Sequence, residues 1–210
     1  MSNLRAYTLV TPPASEPVAL ADVKTYLRID GNEDDTVLNT LIASARRMAE
    51  AHTKRAFITQ TWRLTMDRFS ERDDVVPPGF HIAPTPFLVN GSQAIQLSRQ
   101  PIQSITSIIT TNSANSPYTV PTATYTLDVS TGRILLNEGY SWPTALRANS
   151  AADILFVAGW ANAAAVPEPI KQGIMQHVAA SYSGKVCAEM PDGSKAAYDE
   201  YRLPEAFGAF

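Results

Sequence analysis

The sequence predicts an α+β fold: a helical core, made of an N-terminal helical hairpin plus a C-terminal helix, with an inserted antiparallel β-rich region. Three observations predict it. Apolar residues recur at helical spacing across 18–29 and 34–54, the period changes to two at residue 58, and helical spacing returns at residue 168. The expected divisions are an N-terminal helical part over 1–56, a β-rich insertion over 57–160, a C-terminal helical part over 161–190 that packs with the N-terminal helices, and an extended or partly helical tail over 191–210.

After a polar, proline-containing opening stretch, Leu20, Val23 and Leu27 make one apolar stripe over 18–29, and Gly31 and Asn32 break it. Over 34–54 the helical period is carried by Val37, Leu38, Leu41, Ile42, Ala45, Met48 and Ala49. Glu33, Asp34 and Asp35 stand at the start and Lys54 and Arg55 at the end, the charge order a helix dipole favours. Two helices of this length are marginal alone, so they are expected to pair as a hairpin with their apolar faces turned inward or toward a neighbour.

Residues 58–66 alternate Ile58, Trp62, Leu64 and Met66 with Thr59, Thr61, Arg63 and Thr65, the pattern of a strand with one buried face. Charge and proline then mark a long loop over 67–92, with short strands expected near 80–82 or 87–89. Further strands are expected at 94–98, 102–109, 123–129, 133–136 and 153–158, forming a meander or small sandwich. Tyr125, Leu127 and Val129 alternate with Thr124, Thr126 and Asp128, and a turn signal runs from Ser130 to Gly132. Arg99 is the sole charged residue between 90 and 127. Such a Ser/Thr/Asn/Gln surface can meet another surface without stranding charges, or serve as a plain sheet exterior.

Gly159 and Trp160 close the strand region. A helix follows over 168–182, with Ile170, Ile174, Met175 and Val178 on one side. Gly173 weakens it by about 1 kcal/mol relative to Ala, so something outside the helix must compensate.

Apolar residues make up 45% and charged residues 18%, the latter below the usual ~25%, as expected if partners cover part of the surface. The formal charge of −3 gives no general attraction to nucleic acid or to an anionic membrane, although local basic patches remain open. The single Cys187 cannot form an intrachain disulfide and reads as a small residue in or near a helix. No stretch approaches the ~20 apolar residues that cross a bilayer, and a soluble protein made and used without secretion is expected.

His52, His81 and His177 fall in no metal-binding spacing, and Glu33, Asp34 and Asp35 read as helix initiation. His52 and His177 read as polar helix residues. Gly184 and Lys185 lack the glycine-rich run of a phosphate loop, and no serine stands in a nucleophile elbow. No catalytic residue, metal or cofactor is therefore expected, and the chain reads as a non-enzyme. Arg46, Arg47, Lys54 and Arg55 form either a solvated basic face or contacts to a neighbouring subunit or DNA. Trp62, Trp142 and Trp160 read as structural anchors, one or more of them at a subunit seam.

A resemblance rests on ordered blocks. These are YTLVTPPASEPVALADVKTYLRID at 7–30, DDTVLNTLIASARRMAEAHTKRAFITQTWRLTMD at 34–67, RQPIQSITSI at 99–108, YTLDVSTGRILL at 125–136, ILFVAGW at 154–160 and VPEPIKQGIMQHVAASY at 166–182. Over about residues 5–203 the chain resembles tailed-phage head–tail connector and adaptor proteins of the gp6-like group, and especially the related family named after gp8 of the Burkholderia phage phiE125. It also resembles adaptor proteins of gene transfer agents. The 67–92 loop and the 184–196 segment depart from the family pattern.

The resemblance implies a homo-oligomeric ring of about twelve subunits in the virion neck at the head–tail junction, assembled in the host cytoplasm. Its implied partners are the portal protein, the next neck or tail connector protein, and double-stranded DNA passing through the lumen; no membrane is involved. Arg46, Arg47, Lys54 and Arg55 would make channel or intersubunit contacts. Tyr198, Tyr201, Arg202, Phe207 and Phe210 would dock on the portal or a neighbouring subunit. A head-completion or tail-side plug and a DNA-contacting neck protein are the alternative roles. The family supplies no catalytic residue and no cofactor.

Overall fold

A computed structural model describes residues 5–69, 94–184 and 189–204. The chain forms a mixed α+β fold and divides into two compact units, one drawn from residues 1–10, 61–97 and 103–157 and the other from 11–60, 98–102 and 158–210.

The first unit is built on strands. In chain order they are β1 (Arg5–Thr11), β2 (Gln60–Met66), β3 (Ile95–Gln96), β4 (Ile102–Thr111), β5 (Pro117–Thr119), β6 (Tyr125–Asp128), β7 (Arg133–Leu136) and β8 (Ala152–Ala158). Five make a sheet in the order β1-β2-β8-β4-β5, and β3-β7-β6 form a second, antiparallel sheet. The alternation in β2 does what its sequence requires: Trp62, Leu64 and Met66 are buried while Arg63 is exposed. In β8 the same rule buries Ala152, Ile154, Phe156 and Ala158. Trp142 is an internal anchor, stacked on Phe69 with ring centroids 4.5 Å apart.

Two strands lie where no strand was expected from periodicity. β1 falls in the opening stretch, and its edge position leaves it without a clean buried alternation. β5 is three residues long, begins with Pro117 and is exposed throughout, again at an edge. The alternation through Tyr125 stops at Asp128, so Val129 is 54% exposed beyond the strand. There the chain turns. The Asp128 carboxylate accepts hydrogen bonds from the Ser130 and Thr131 hydroxyls and from their backbone N–H groups, which lowers its pKa to about 2. The strands expected near 80–82 or 87–89 lie outside the described residues.

The second unit is helical, with α1 (Leu20–Leu27), α2 (Asp35–Thr53), α3 (Glu168–Gly184) and α4 (Asp192–Asp199). Its core joins Val23 of α1, Leu38, Ile42, Ala45 and Ala49 of α2, Ile170, Ile174 and Val178 of α3, and Tyr198 of α4, with Val18, Phe57, Ile58 and Val166 beside them. Val37 departs from the predicted stripe and is 50% exposed. Both N-terminal helices end in a left-handed residue, Arg28 at φ 58° and Lys54 at φ 59°.

The acidic residues before α2 act differently from the expected side-chain caps. Asp34 is the N-cap residue but makes no side-chain capping bond; its carboxylate accepts from the Tyr182 hydroxyl of α3 at 2.6 Å. Asp35 receives the Lys24 ammonium of α1 at 2.8 Å. The acids thus tie helices together, while their position near the helix start still suits its dipole.

A short connection belongs to this unit as well. Arg99 N–H donates to the Lys54 carbonyl at 2.8 Å, and Gly159 N–H to the Pro101 carbonyl at 2.8 Å. Gly159 stands at φ 112°, and a Cβ there would collide with the Ile58 carbonyl. Glycine is required where these backbones meet.

Candidate functional site

Four cations were singled out by sequence, and helical geometry separates them. Successive residues on an α-helix point about 100° apart, so Arg46 and Arg47 cannot share a face. Arg46 is 4% exposed. Its Nε donates to Glu16 at 2.6 Å and its Nη1 to Glu50 at 2.8 Å. Burial works against its charge, but the hydrogen bonds and charges of Glu16 and Glu50 outweigh it and hold its pKa above the ordinary value. Arg47 stands exposed on the outer face of α2.

Glu50 is the centre of this buried network. Its other oxygen accepts from the Phe57 N–H at 2.8 Å and the Gln60 side-chain amide at 2.6 Å, and its backbone carbonyl accepts from Arg99 at 3.2 Å. Sequence reasoning passed over Glu16, Glu50 and Gln60. Glu50 had a readable signal, since it follows Arg46 by one helical turn. Glu16 lies 30 residues before Arg46, so only the fold reveals it.

Lys54 is exposed at the end of α2. Arg55 is half-buried; its Nε donates to the Tyr201 carbonyl at 2.5 Å, and burial lowers its pKa. The structure therefore places Arg46 in an internal network and Arg55 against the tail, leaving Arg47 and Lys54 on the surface.

The expected docking residues are likewise divided. Tyr198 is fully buried, and its ring fills the space left by the missing side chain of Gly173. Among the described residues its hydroxyl has no hydrogen-bond partner, and burial pushes its pKa well above the ordinary value. Tyr201 is partly buried against the helical core, whereas Arg202 is exposed. Leu203 N–H donates to the Thr53 carbonyl at 2.9 Å, satisfying one of the open acceptors at the end of α2. Phe207 and Phe210 lie outside the described residues, as do His81 and Cys187.

His52 contacts Asp199 at 2.6 Å. His177, read from sequence as an ordinary polar helix residue, is buried at 2% exposure because it lies on the inner face of α3. Trp160 is partly buried, with its ring 6.0 Å from that of Phe57. Among the described residues, no group of three or more His, Cys, Asp or Glu is placed to hold a metal ion, and no helix is long and apolar enough to cross a membrane.

What the helical unit presents outside its closed apolar core is a set of exposed polar and charged helix faces. A family described as phage gp6-like head-tail connector protein matches residues 17–130, more than half of the chain. The chain belongs to this family. A structural connector role follows from that membership.

No curated protein matches the connector by sequence. Its fold is similar to that of chains in solved gene transfer agent particles. One, from the neck of an empty particle computed with C6 symmetry, has a TM-score of 0.73 at 19% identity and covers 97% of this chain and 98% of that one. A chain from the virion of a native particle gives a TM-score of 0.70 at 20% identity, with 97% and 98% coverage. A third, from the neck of a native particle computed with C12 symmetry, gives 0.68 at 20% identity over the same shares. The likeness is one of fold and spans both units.

Proposed function

We propose that this connector is a non-enzymatic ring subunit at the head–tail junction of a phage or gene transfer agent particle. About twelve copies surround the DNA channel between the portal and the next neck or tail component. Within the family the ordered sequence blocks favour the gp8-like branch. The observation that carries the ring reading is the fold shared over nearly the whole of both chains with a protein of a particle neck computed with C12 symmetry.

In this reading the helical unit forms the ring body, and the strand-rich unit offers an uncharged surface to another neck protein. Apolar contacts oppose the entropy lost on assembly, while polar contacts enforce register. The docking arm is the segment beyond Leu203, with Phe207 and Phe210 as its apolar anchors. Tyr198 is buried inside its own subunit and is not one of these anchors. Assembly takes place in the host cytoplasm.

A concentration series with and without the portal ring, followed by mass measurement and electron microscopy, tests the proposal. The expected result is a closed ring, formed alone or on the portal. A chain that stays monomeric at every concentration and never docks would overturn it.

A further inference from the structure

We infer that neighbouring copies meet with α2 of one subunit against α4 of the next, Arg47 and Lys54 pairing with Asp192 and Asp199 across Ala51 and Ala196. This seam rests on the ring reading above.

The two helices carry the same spacing with opposite charge. On α2, Arg47 and Ala51 stand at i and i+4, and Lys54, the left-handed residue that ends the helix, follows three residues on; all three are exposed. On α4, Asp192, Ala196 and Asp199 repeat those offsets, and all three are exposed. Asp192, Ala196 and Asp199 therefore share one face of α4, their charges about 10.5 Å apart along the axis, while Arg47 and Ala51 share a face of α2 with Lys54 just beyond its C-terminal end, seven residues from Arg47. Matching spans allow both ion pairs to form together. A small residue lies between the charges on each side, so the backbones can approach to the ~8–10 Å of packed helices.

The intrachain contacts leave these faces available. Tyr198 and Ser194 turn α4 toward Gly173, Ser194 donating to its carbonyl at 2.8 Å. Asp199 binds His52 through one oxygen, yet its side chain is 52% exposed and retains a second acceptor oxygen. No ion pair engages Arg47 or Lys54 among the described residues. Lys195, the single cation of α4, sits on the flank of the acidic stripe.

The two surfaces differ, so the contact is heterologous. Such a contact propagates from copy to copy until a rotation closes it, whereas a two-fold dimer would pair one patch with itself. Ring closure covers the basic face of every subunit with the acidic face of its neighbour.

Charge exchange in the full chain tests the seam. Arg47→Glu/Lys54→Glu and Asp192→Lys/Asp199→Lys are each expected to raise the concentration at which rings form by about tenfold or more. An equimolar mixture should restore rings, because alternating copies then oppose unlike charges at every seam. Asp192→Lys alone spares the His52 contact and should act in the same direction. Arg47→Gln/Lys54→Gln supplies a milder pair should reversal disturb the fold.

Wild-type rings accompanied by unaffected variant rings, or a mixture that fails to recover, would overturn the seam while leaving the ring reading intact. Wild type that never forms a ring, even with the portal, sinks the ring reading. Normal rings that lose only retention of duplex DNA would assign Arg47 and Lys54 to phosphates and overturn the proposed pairing.

Discussion

At Gly173 the absence of a side chain is what lets α4 pack on α3. The helix gives up about 1 kcal/mol of propensity at this position. In return the Tyr198 ring occupies the space, and a Cβ would stand 2.6 Å from its Cε1 atom. Gly173→Ala should therefore destabilise the protein by about 1–3 kcal/mol despite its better helix propensity. A fall in melting temperature of about 5 °C is the expected reading. Tyr198→Phe should do the reverse of an ordinary core truncation, because the lost hydroxyl is buried with no partner among the described residues. Its stability at neutral pH should equal or exceed that of the wild type.

The same hydroxyl gives a pH signature. Its folded-state pKa is raised by burial from an ordinary value of 10.0. Above pH 10 the unfolded chain loses this proton while the folded one keeps it, so stability is full below that pH and declines above it. Melting curves across the alkaline range should show a shallower decline in Tyr198→Phe.

Among the elements, α2 bears the most varied duties. Its inner face joins the apolar core, its Arg46 and Glu50 tie the segments before and after it, and its outer face presents Arg47 and Lys54. Arg46→Ala should cost about 3–5 kcal/mol, because Glu50 would keep its charge in the interior without its cation. Thermal melting should fall by about 10 °C. An unchanged melting temperature would contradict the internal role described for Arg46. Sequence placed α2 and β2 well because each repeats one period over its whole length. It missed β1 and β5 because an edge strand is not compelled to alternate. Treating Arg46 and Arg47 as one basic pair failed for a similarly simple reason: adjacent helical residues diverge.

For the whole molecule, the proposed ring makes the way it joins its neighbours the decisive property. Leu203 is tied to the helical core, its N–H reaching the Thr53 carbonyl. On the proposed docking role, Phe207→Ala/Phe210→Ala should weaken portal capture by about tenfold or more, beyond any change in thermal stability. Binding to immobilised portal rings, measured beside thermal melting, separates these effects. Equal capture by variant and wild type would remove the two aromatics from the docking role.

By itself the sequence determined the α+β class, the helix-to-strand change at residue 58 and the helical return at residue 168, because local periodicity records which face of each element is buried. It also made Gly173 a question by placing a poor helix former inside an apolar helix. Only tertiary structure supplied Tyr198 as the answer, brought Glu16 to Arg46 and sent Arg47 and Lys54 outward. Such pairings join residues far apart in the chain, and no local period specifies them. The opposed spacing on α2 and α4 was present in the sequence throughout, but it gained meaning when the fold left both faces exposed.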